Sequence, residues 1–133
     1  HYPAYPGAEK SHTDCKEYLA RIAEANDIDL ILGAHDHVYS RTAFVNGLCE
    51  TLSGYPYESG AAAVNPEGTL YITCSTSSGC LYHIPEGEIR IVYQGQPDTP
   101  MALRFDVTDT ELHMRAYLMD SWTVYDEYTI RKE

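Results

Sequence analysis

The spacing of apolar residues changes once along this sequence, from a helical period near its start to no helical period in the rest. Residues 14–25 carry apolar side chains at helical spacing with charged residues on the opposite face, and no later segment has a helical period of comparable strength. Ser11 or Thr13 can act as the N-cap and Asn26 as the terminator. The pattern predicts one amphipathic helix followed by a β-rich remainder. Its expected buried face consists of Cys15, Tyr18, Leu19, Ile22 and Ala23.

A short apolar run follows the helix directly. Ile28–Leu32 is almost wholly apolar and includes β-branched residues, which is typical of a buried strand. Residues 33–37 would then leave the carboxyl end of that strand. In sheets of the α/β type, ligands are usually held at this edge.

The rest of the chain is predicted to be strands and loops. The strand candidates are Arg41–Val45, Thr69–Cys74, Met101–Val107, Glu111–Leu118 and Val124–Arg131. Apolar and polar residues alternate in the third and fourth of these, so a hairpin through residues 108–110 would place both apolar sets on one face. Residues 53–68 and 83–100 are rich in Gly, Pro and Glu and are predicted to be surface loops.

Composition narrows the possible functions. The 133 residues fit one domain, and no apolar run approaches the ~20 residues that a membrane span requires. A formal net charge of −11 opposes binding to nucleic acid or to an anionic membrane, since both require basic residues. The four cysteines have no C-x-x-C spacing, and Cys74 and Cys80 fit a small disulfide loop as well as two free thiols.

The pair His35 and His37 is the sharpest chemical feature. Two imidazoles separated by one residue on an irregular turn can point at different atoms of one compact metal cluster. Imidazole suits Zn, Fe, Mn or Ni, but a bridged site also needs carboxylates. Hydrogen-bonded structural histidines are the alternative.

Four segments together resemble one known family. Residues 35–42, His-Asp-His-Val-Tyr-Ser-Arg-Thr, resemble the G-H-x-H-x-Y-x-R signature of the calcineurin-like metallophosphoesterases, in particular the purple-acid-phosphatase branch, although Ala34 stands where the family usually has glycine. Residues 1–5 are similar to the family's H-x-P-x-Y segment, residues 66–73 to its P-x-G-T-x-Y-I stretch, and residues 124–132 to its closing strand.

The resemblance implies a fold and a set of ligands. Residues 1–133 would be the C-terminal half of a four-layer α/β/β/α metallophosphoesterase sandwich, an α+β fragment with one main helix. His1 and His35 would bind one metal and His37 the other, from a pair of divalent or mixed-valence Fe, Zn or Mn ions. His12 would contact the substrate phosphate or assist the leaving group.

The resemblance also implies an incomplete site. The family draws its remaining ligands from earlier motifs that contain Gly-Asp and Gly-Asn-His, and this chain has no Gly-Asp, Gly-Asn or Asn-His dipeptide. Without the bridging carboxylate, two cations ~3.5–4 Å apart would lack charge compensation. We therefore expect a phosphoric ester hydrolase in the parent protein, and little activity and partial or no metal occupancy in this chain. Apolar faces and strand edges that the missing half would cover should cause self-association. The family resemblance favours an extracellular or cell-surface location.

Other interpretations are weaker. His83 and His113 match no motif and are expected to be structural, and a zinc site formed by Cys74, Cys80 and His83 lacks a fourth ligand. Residues 75–79 do not form a G-x-S-x-G motif and are predicted to be a loop between strands. Arg41 is expected to form a structural pair under the site, and the tyrosines to pack rather than line a groove. A non-catalytic β-rich binding or structural domain is the alternative to an enzyme.

Overall fold

The structure is a computed structural model that describes residues 1–8, 15–47, 50–78 and 90–133. These residues form one helix and ten strands, which confirms the predicted fold of one main helix and a β-rich remainder. The elements are α1 Lys16–Ala25, β1 Leu30–Gly33, β2 Tyr39–Thr42, β3 Val45–Asn46, β4 Glu50–Thr51, β5 Ala62–Val64, β6 Leu70–Thr73, β7 Ile91–Gly95, β8 Met101–Val107, β9 Glu111–Leu118 and β10 Val124–Arg131.

The helix packs on the sheet that contains β6 through a narrower face than the sequence predicts. Ala20 and Ala23 are buried, and Leu19 packs against a small apolar cluster that includes Tyr5 and Tyr71. The expectation that Tyr18 and Ile22 also face the core is wrong, because their side chains are 68% and 36% exposed.

The helix ends as predicted, and at its start Cys15 occupies the N-cap position without a side-chain capping hydrogen bond. The Asn26 side chain donates to the Ile22 carbonyl over 2.8 Å, and Asp27 then turns the chain at a φ of 50°. The predicted N-caps Ser11 and Thr13 lie outside the described residues. Within the described ranges, no helix is both long and apolar enough to cross a membrane.

The first sheet has the order β1-β6-β2-β7, with β1 parallel to β6 and the other pairs antiparallel. Strand β1 lies at an edge, and Leu32 is 51% exposed. The prediction of a buried strand at Ile28–Leu32 is therefore wrong in its burial, although the strand itself is present. The physical reason is that β1, among the described residues, has a neighbouring strand on one side only.

The second sheet has the order β5-β10-β9-β8. The predicted hairpin of β8 and β9 is confirmed, because Leu103 lies opposite Ala116 and Phe105 opposite Met114, so the apolar sets share one face. The predicted loops at 53–68 and 83–100 are corrected, since they contain β5 and β7. Both strands pair with segments distant in sequence, and local composition does not reveal such pairing.

The two sheets enclose the main core. Its buried residues are Tyr39, Phe44, Ala63, Leu70, Ile72, Met101, Met114, Ala116, Tyr128 and Ile130. Tyr55, Tyr57 and Tyr93 pack against this core, in line with the packing role expected for tyrosines. Edge-to-face contacts join Tyr39 to Tyr93 and Tyr125, with ring centroids 6.0 and 5.7 Å apart.

Candidate metal site

The turn between β1 and β2 carries two histidines in an uncommon backbone conformation. His35 has a φ of 72° and His37 a φ of 53°, a region that costs a residue with a Cβ about 1–2 kcal/mol. The surroundings hold this turn in place. The His37 carbonyl accepts hydrogen bonds from Ser75 Oγ over 3.0 Å and from Gln96 Nε2 over 2.6 Å. Strain that is held in this way is characteristic of functional sites.

A second segment, residues 1–8, lies along the same edge of the first sheet. The amide of Ala34 donates to the His1 carbonyl over 2.9 Å. Gly33 allows the close approach, because a Cβ there would come within 3.2 Å of the Pro3 Cα. The glycine that precedes Ala34 thus brings the backbone of residues 1–8 against the end of β1.

These contacts bring His1 and His35 together. His35 Nδ1 lies 3.3 Å from His1 Nε2, and the two ring centroids are 5.2 Å apart at an interplanar angle of 82°. The Tyr2 ring packs on His35 with centroids 4.5 Å apart. The pair lies 34 positions apart in the sequence, and the fold alone joins them.

The separation of these nitrogens suits two ligands of one metal ion. With metal–nitrogen bonds of about 2.1 Å, a nitrogen–nitrogen distance of 3.3 Å corresponds to a ligand–metal–ligand angle of about 104°. That angle lies between the octahedral and tetrahedral values, and imidazole donors suit Zn and Fe. The donor set therefore fits a metal, and the same distance also allows a hydrogen bond between one protonated and one unprotonated ring nitrogen.

The structure does not add the other predicted residues to this pair. Among the described residues, no group of three or more His, Cys, Asp or Glu side chains comes together to hold one ion. His37 is partly buried on the same turn. His12 lies outside the described residues, so its proposed role stays a prediction.

The sequence interpretation missed the groups that hold the two segments. Asp36 is fully buried, and its Oδ2 accepts from the amides of Gly7 over 2.6 Å and Ala8 over 3.2 Å. The Gln94 side chain donates to the Gly7 carbonyl over 2.7 Å. A charged residue between two histidines was the available signal for Asp36. The spacing of Gln94 and Gln96 would have been informative had β7 been predicted.

The weaker candidate sites find little support. His113 lies on the second sheet, where its Nε2 is 3.3 Å from Glu127 Oε2. Burial raises the pKa of the Cys74 thiol to about 11, which disfavours the thiolate that zinc needs. Cys74 is a free thiol, while Cys80 and His83 lie outside the described residues. Ser75 donates its hydroxyl to a backbone carbonyl.

Comparisons with known proteins identify the fold. A scan against models of protein families and a search of curated proteins give no match. A search of solved structures finds a purple acid phosphatase isolated from yellow lupin (Lupinus luteus) seeds, with a TM-score of 0.81 and 16% sequence identity. The match covers 100% of this chain and 24% of that protein. The chain therefore has the fold of one part of a purple acid phosphatase, and it spans about a quarter of that protein's length.

Proposed function

We propose that this chain forms the histidine-bearing part of a metal-dependent phosphoric ester hydrolase. The observation that carries the proposal is the 3.3 Å distance between the ring nitrogens of His1 and His35, at the sheet edge where the backbone is strained. In the proposal these two rings bind one ion and His37 binds a second, from Fe, Zn or Mn. When bound, such a pair would lower the pKa of a water and stabilise charge on a phosphoryl group.

The chain's own contribution to this chemistry is orientation. Hydrogen bonds to the carbonyls of His1 and His37 hold the backbone of both ligands, and the donors lie just beyond the ends of β1, β6 and β7. Ligands held in advance lose little conformational entropy when they bind an ion. His12 is proposed to hold the substrate phosphate or to give a proton to the leaving oxygen.

The proposal includes an inactive isolated chain. Neutral imidazoles provide no negative charge, and two cations at a short distance require bridging carboxylates. The dipeptides that mark these groups in the family are missing from the 133 residues. We propose that phosphate ester turnover requires a polypeptide that also contains the carboxylate-bearing part of the fold.

A non-catalytic β-rich domain is the second candidate. The nitrogen–nitrogen distance that suits a metal also suits a hydrogen bond between two neutral histidines. In this case His1 and His35 would tie two loops together, and neither residue would bind a metal.

Metal titration separates the two candidates. Co²⁺ binding to the chain is measured by calorimetry and by the visible spectrum of the ion, for the wild type, His1→Ala, His35→Ala and the control His113→Ala. We expect each site variant to weaken Co²⁺ binding at least about tenfold, because the ion loses one of the two histidines that bind it. The control should bind like the wild type. Measurable Co²⁺ binding of equal strength in all four chains would favour the non-catalytic domain.

Activity assays complete the test. Hydrolysis of p-nitrophenyl phosphate and bis-p-nitrophenyl phosphate is measured with added Mn²⁺, Zn²⁺ or Fe²⁺. The 133-residue chain is compared with a longer polypeptide that also carries the carboxylate motifs. Turnover in the longer chain that is lost in His35→Ala supports the proposal and identifies the ester class. Inactivity of both chains argues for the second candidate.

A further inference from the structure

Asp36 connects the two histidine-bearing segments of the candidate site. Its carboxylate is fully buried, and it follows His35 directly. Its Oδ2 accepts from the amide of Gly7 over 2.6 Å and from that of Ala8 over 3.2 Å, 29 and 28 positions away. The residue thus lies on one segment and holds the other.

Burial of this carboxylate is costly for folding. An ionised carboxylate loses several kcal/mol of hydration when it enters a protein interior, and hydrogen bonds must compensate. One oxygen receives two such bonds, whereas Asp36 Oδ1 has no hydrogen-bond partner within the part of the chain that the structure describes. An apolar residue at this position would avoid the cost, so packing alone does not explain an aspartate.

Further contacts fix the position of residues 1–8 on the sheet edge. Gln94 donates to the Gly7 carbonyl over 2.7 Å, and a Cβ on Gly7 would lie 3.0 Å from the Ser40 Cβ. Near the other end of the same segment, the Ala34 amide binds the His1 carbonyl over 2.9 Å. A segment held at both ends can neither shift nor pivot, whereas one bond alone would leave it free to rotate.

We infer that Asp36 is a positioning residue that sets the separation of His1 and His35 by binding the Gly7 and Ala8 amides. The inference rests on the proposed function for its purpose, but the geometric claim can be tested without a metal. To bind these two amides, the side chain at position 36 needs a hydrogen-bond acceptor but not a charge. Asn fits this requirement, because its amide oxygen can replace Oδ2 and its NH₂ can take the place of Oδ1.

The test compares Asp36→Ala and Asp36→Asn with the wild type in the full 133-residue chain. Asp106→Ala is the matched control, since it removes a carboxylate that pairs with Arg104 and Arg115 on the second sheet. Two readouts use the metal-free chain: hydrogen exchange of the Gly7 and Ala8 amides, and the nuclear Overhauser effect between the His1 and His35 rings. A third readout is the affinity for Co²⁺.

We expect Asp36→Ala to speed exchange of both amides at least about tenfold and to abolish the ring-to-ring effect, while amides in β9 and β10 stay protected. Co²⁺ affinity should fall about 10–100-fold, as it does when groups that orient metal ligands are removed. Asp36→Asn should keep both amides protected and bind Co²⁺ within about threefold of the wild type.

The inference fails if Asp36→Ala keeps the protection of Gly7 and Ala8 and the ring-to-ring effect. If Asp36→Ala does not fold, the Asn variant decides. A folded Asn variant that still protects both amides supports the inference, and a folded Asn variant in which both amides exchange freely overturns it. A longer polypeptide that carries the carboxylate motifs and binds no Co²⁺ defeats the proposed function, and the exchange data on the 133-residue chain then still decide the role of Asp36.

Discussion

Arg41 on β2 and Asp126 on β10 form a fully buried ion pair that joins the two sheets. Arg41 Nε lies 2.7 Å from Asp126 Oδ2, and both side chains are 0% exposed. Tyr39 Oη donates to the same oxygen over 2.6 Å, and Arg41 Nη2 donates to the Tyr57 carbonyl over 3.0 Å. Burial and the Asp126 charge raise the pKa of Tyr39 well above its ordinary value. The pair is anchored on the strand that follows the histidine turn, and it is the structural pairing that the sequence predicts for Arg41.

Removal of one partner of this pair should be strongly destabilising. Asp126→Ala leaves the Arg41 charge buried without its counter-ion, and we expect the free energy of unfolding to fall by about 3–5 kcal/mol. Tyr39→Phe removes one hydrogen bond to a charged acceptor and should cost about 1.5–3 kcal/mol. Urea unfolding followed by circular dichroism measures both. A loss for Asp126→Ala no larger than that for Tyr39→Phe would contradict the role of the ion pair.

Gly95 should not tolerate a side chain. A Cβ at this position would overlap the Tyr125 hydroxyl. We expect Gly95→Ala to lower the free energy of unfolding by about 1–3 kcal/mol, because an overfilled contact forces its neighbours to move. The double variant Gly95→Ala with Tyr125→Phe removes the overlapping oxygen and should recover part of this loss in urea unfolding. Additive effects of the two changes would show that the contact is not the cause.

The chain should lose stability in alkali. Burial raises the pKa of Cys74 from 9.0 to about 11, and the pKa values of Tyr71 and Tyr128 from 10.0 to about 12. These groups are neutral when protonated, so the folded chain holds their protons at pH values where the unfolded chain releases them. Their contribution to stability is complete below about pH 9 and is lost as the pH rises towards 11 and 12.

Tyr128→Phe tests this pH dependence. The free energy of unfolding is measured at about pH 8 and about pH 10.5 for the wild type and the variant. We expect the decrease between these pH values to be smaller in the variant, because one group with a raised pKa is gone. An equal decrease in both chains would exclude Tyr128 as a source of the alkaline loss.

Because the backbone at His37 is left-handed, we expect a glycine variant at this position to be more stable than an alanine variant, the reverse of the usual order. At a φ of 53°, glycine avoids the Cβ strain, so His37→Gly should be more stable than His37→Ala by about 1 kcal/mol. His113 in β9 is the matched control, since alanine should be the more stable replacement in a regular strand. Thermal unfolding of the four metal-free variants measures the difference. The same preference at both positions would show that the turn is not strained at His37.

The edge strand β1 predicts self-association of the chain. Leu32 is half-exposed on this strand, and a free strand edge with an apolar side chain pairs readily with another chain. We expect light scattering to detect oligomers at high concentration and Leu32→Lys to reduce them. Trp122→Lys, which removes another exposed apolar residue from a turn, is the control. A monodisperse wild type would contradict this prediction.

The features that the sequence predicts well depend on interactions between residues that are close together along the chain. The helix follows from the helical spacing of apolar side chains over about three turns. The β8–β9 hairpin follows from the alternation of apolar and polar residues on both sides of a short connection. Strands β5 and β7 escape prediction because their partners β10 and β2 lie far away along the chain, and their own residues include many small or polar ones.

In the candidate site, too, the contacts between residues distant in sequence are the ones that local sequence patterns do not reveal. The proximity of His1 and His35 follows from a family resemblance and not from any local spacing, and the structure brings their rings together. The role of Asp36 escapes prediction because its hydrogen-bond partners lie almost thirty residues earlier. The exposure of Leu32 depends on the place of β1 in the strand order, and an apolar strand pattern does not encode that place.

The position of β10 in the second sheet bears on how the chain folds during its synthesis. Strand β5 pairs in parallel with β10, at Ala62 and Thr129, so β5 emerges from the ribosome long before its partner exists. Arg41 likewise has no counter-ion until Asp126 is synthesised, 85 residues later. Pairings of this length close slowly, because the chain must lose much entropy before any contact forms. A nascent chain therefore carries an unneutralised arginine and an unpaired strand while the residues between these partners are synthesised.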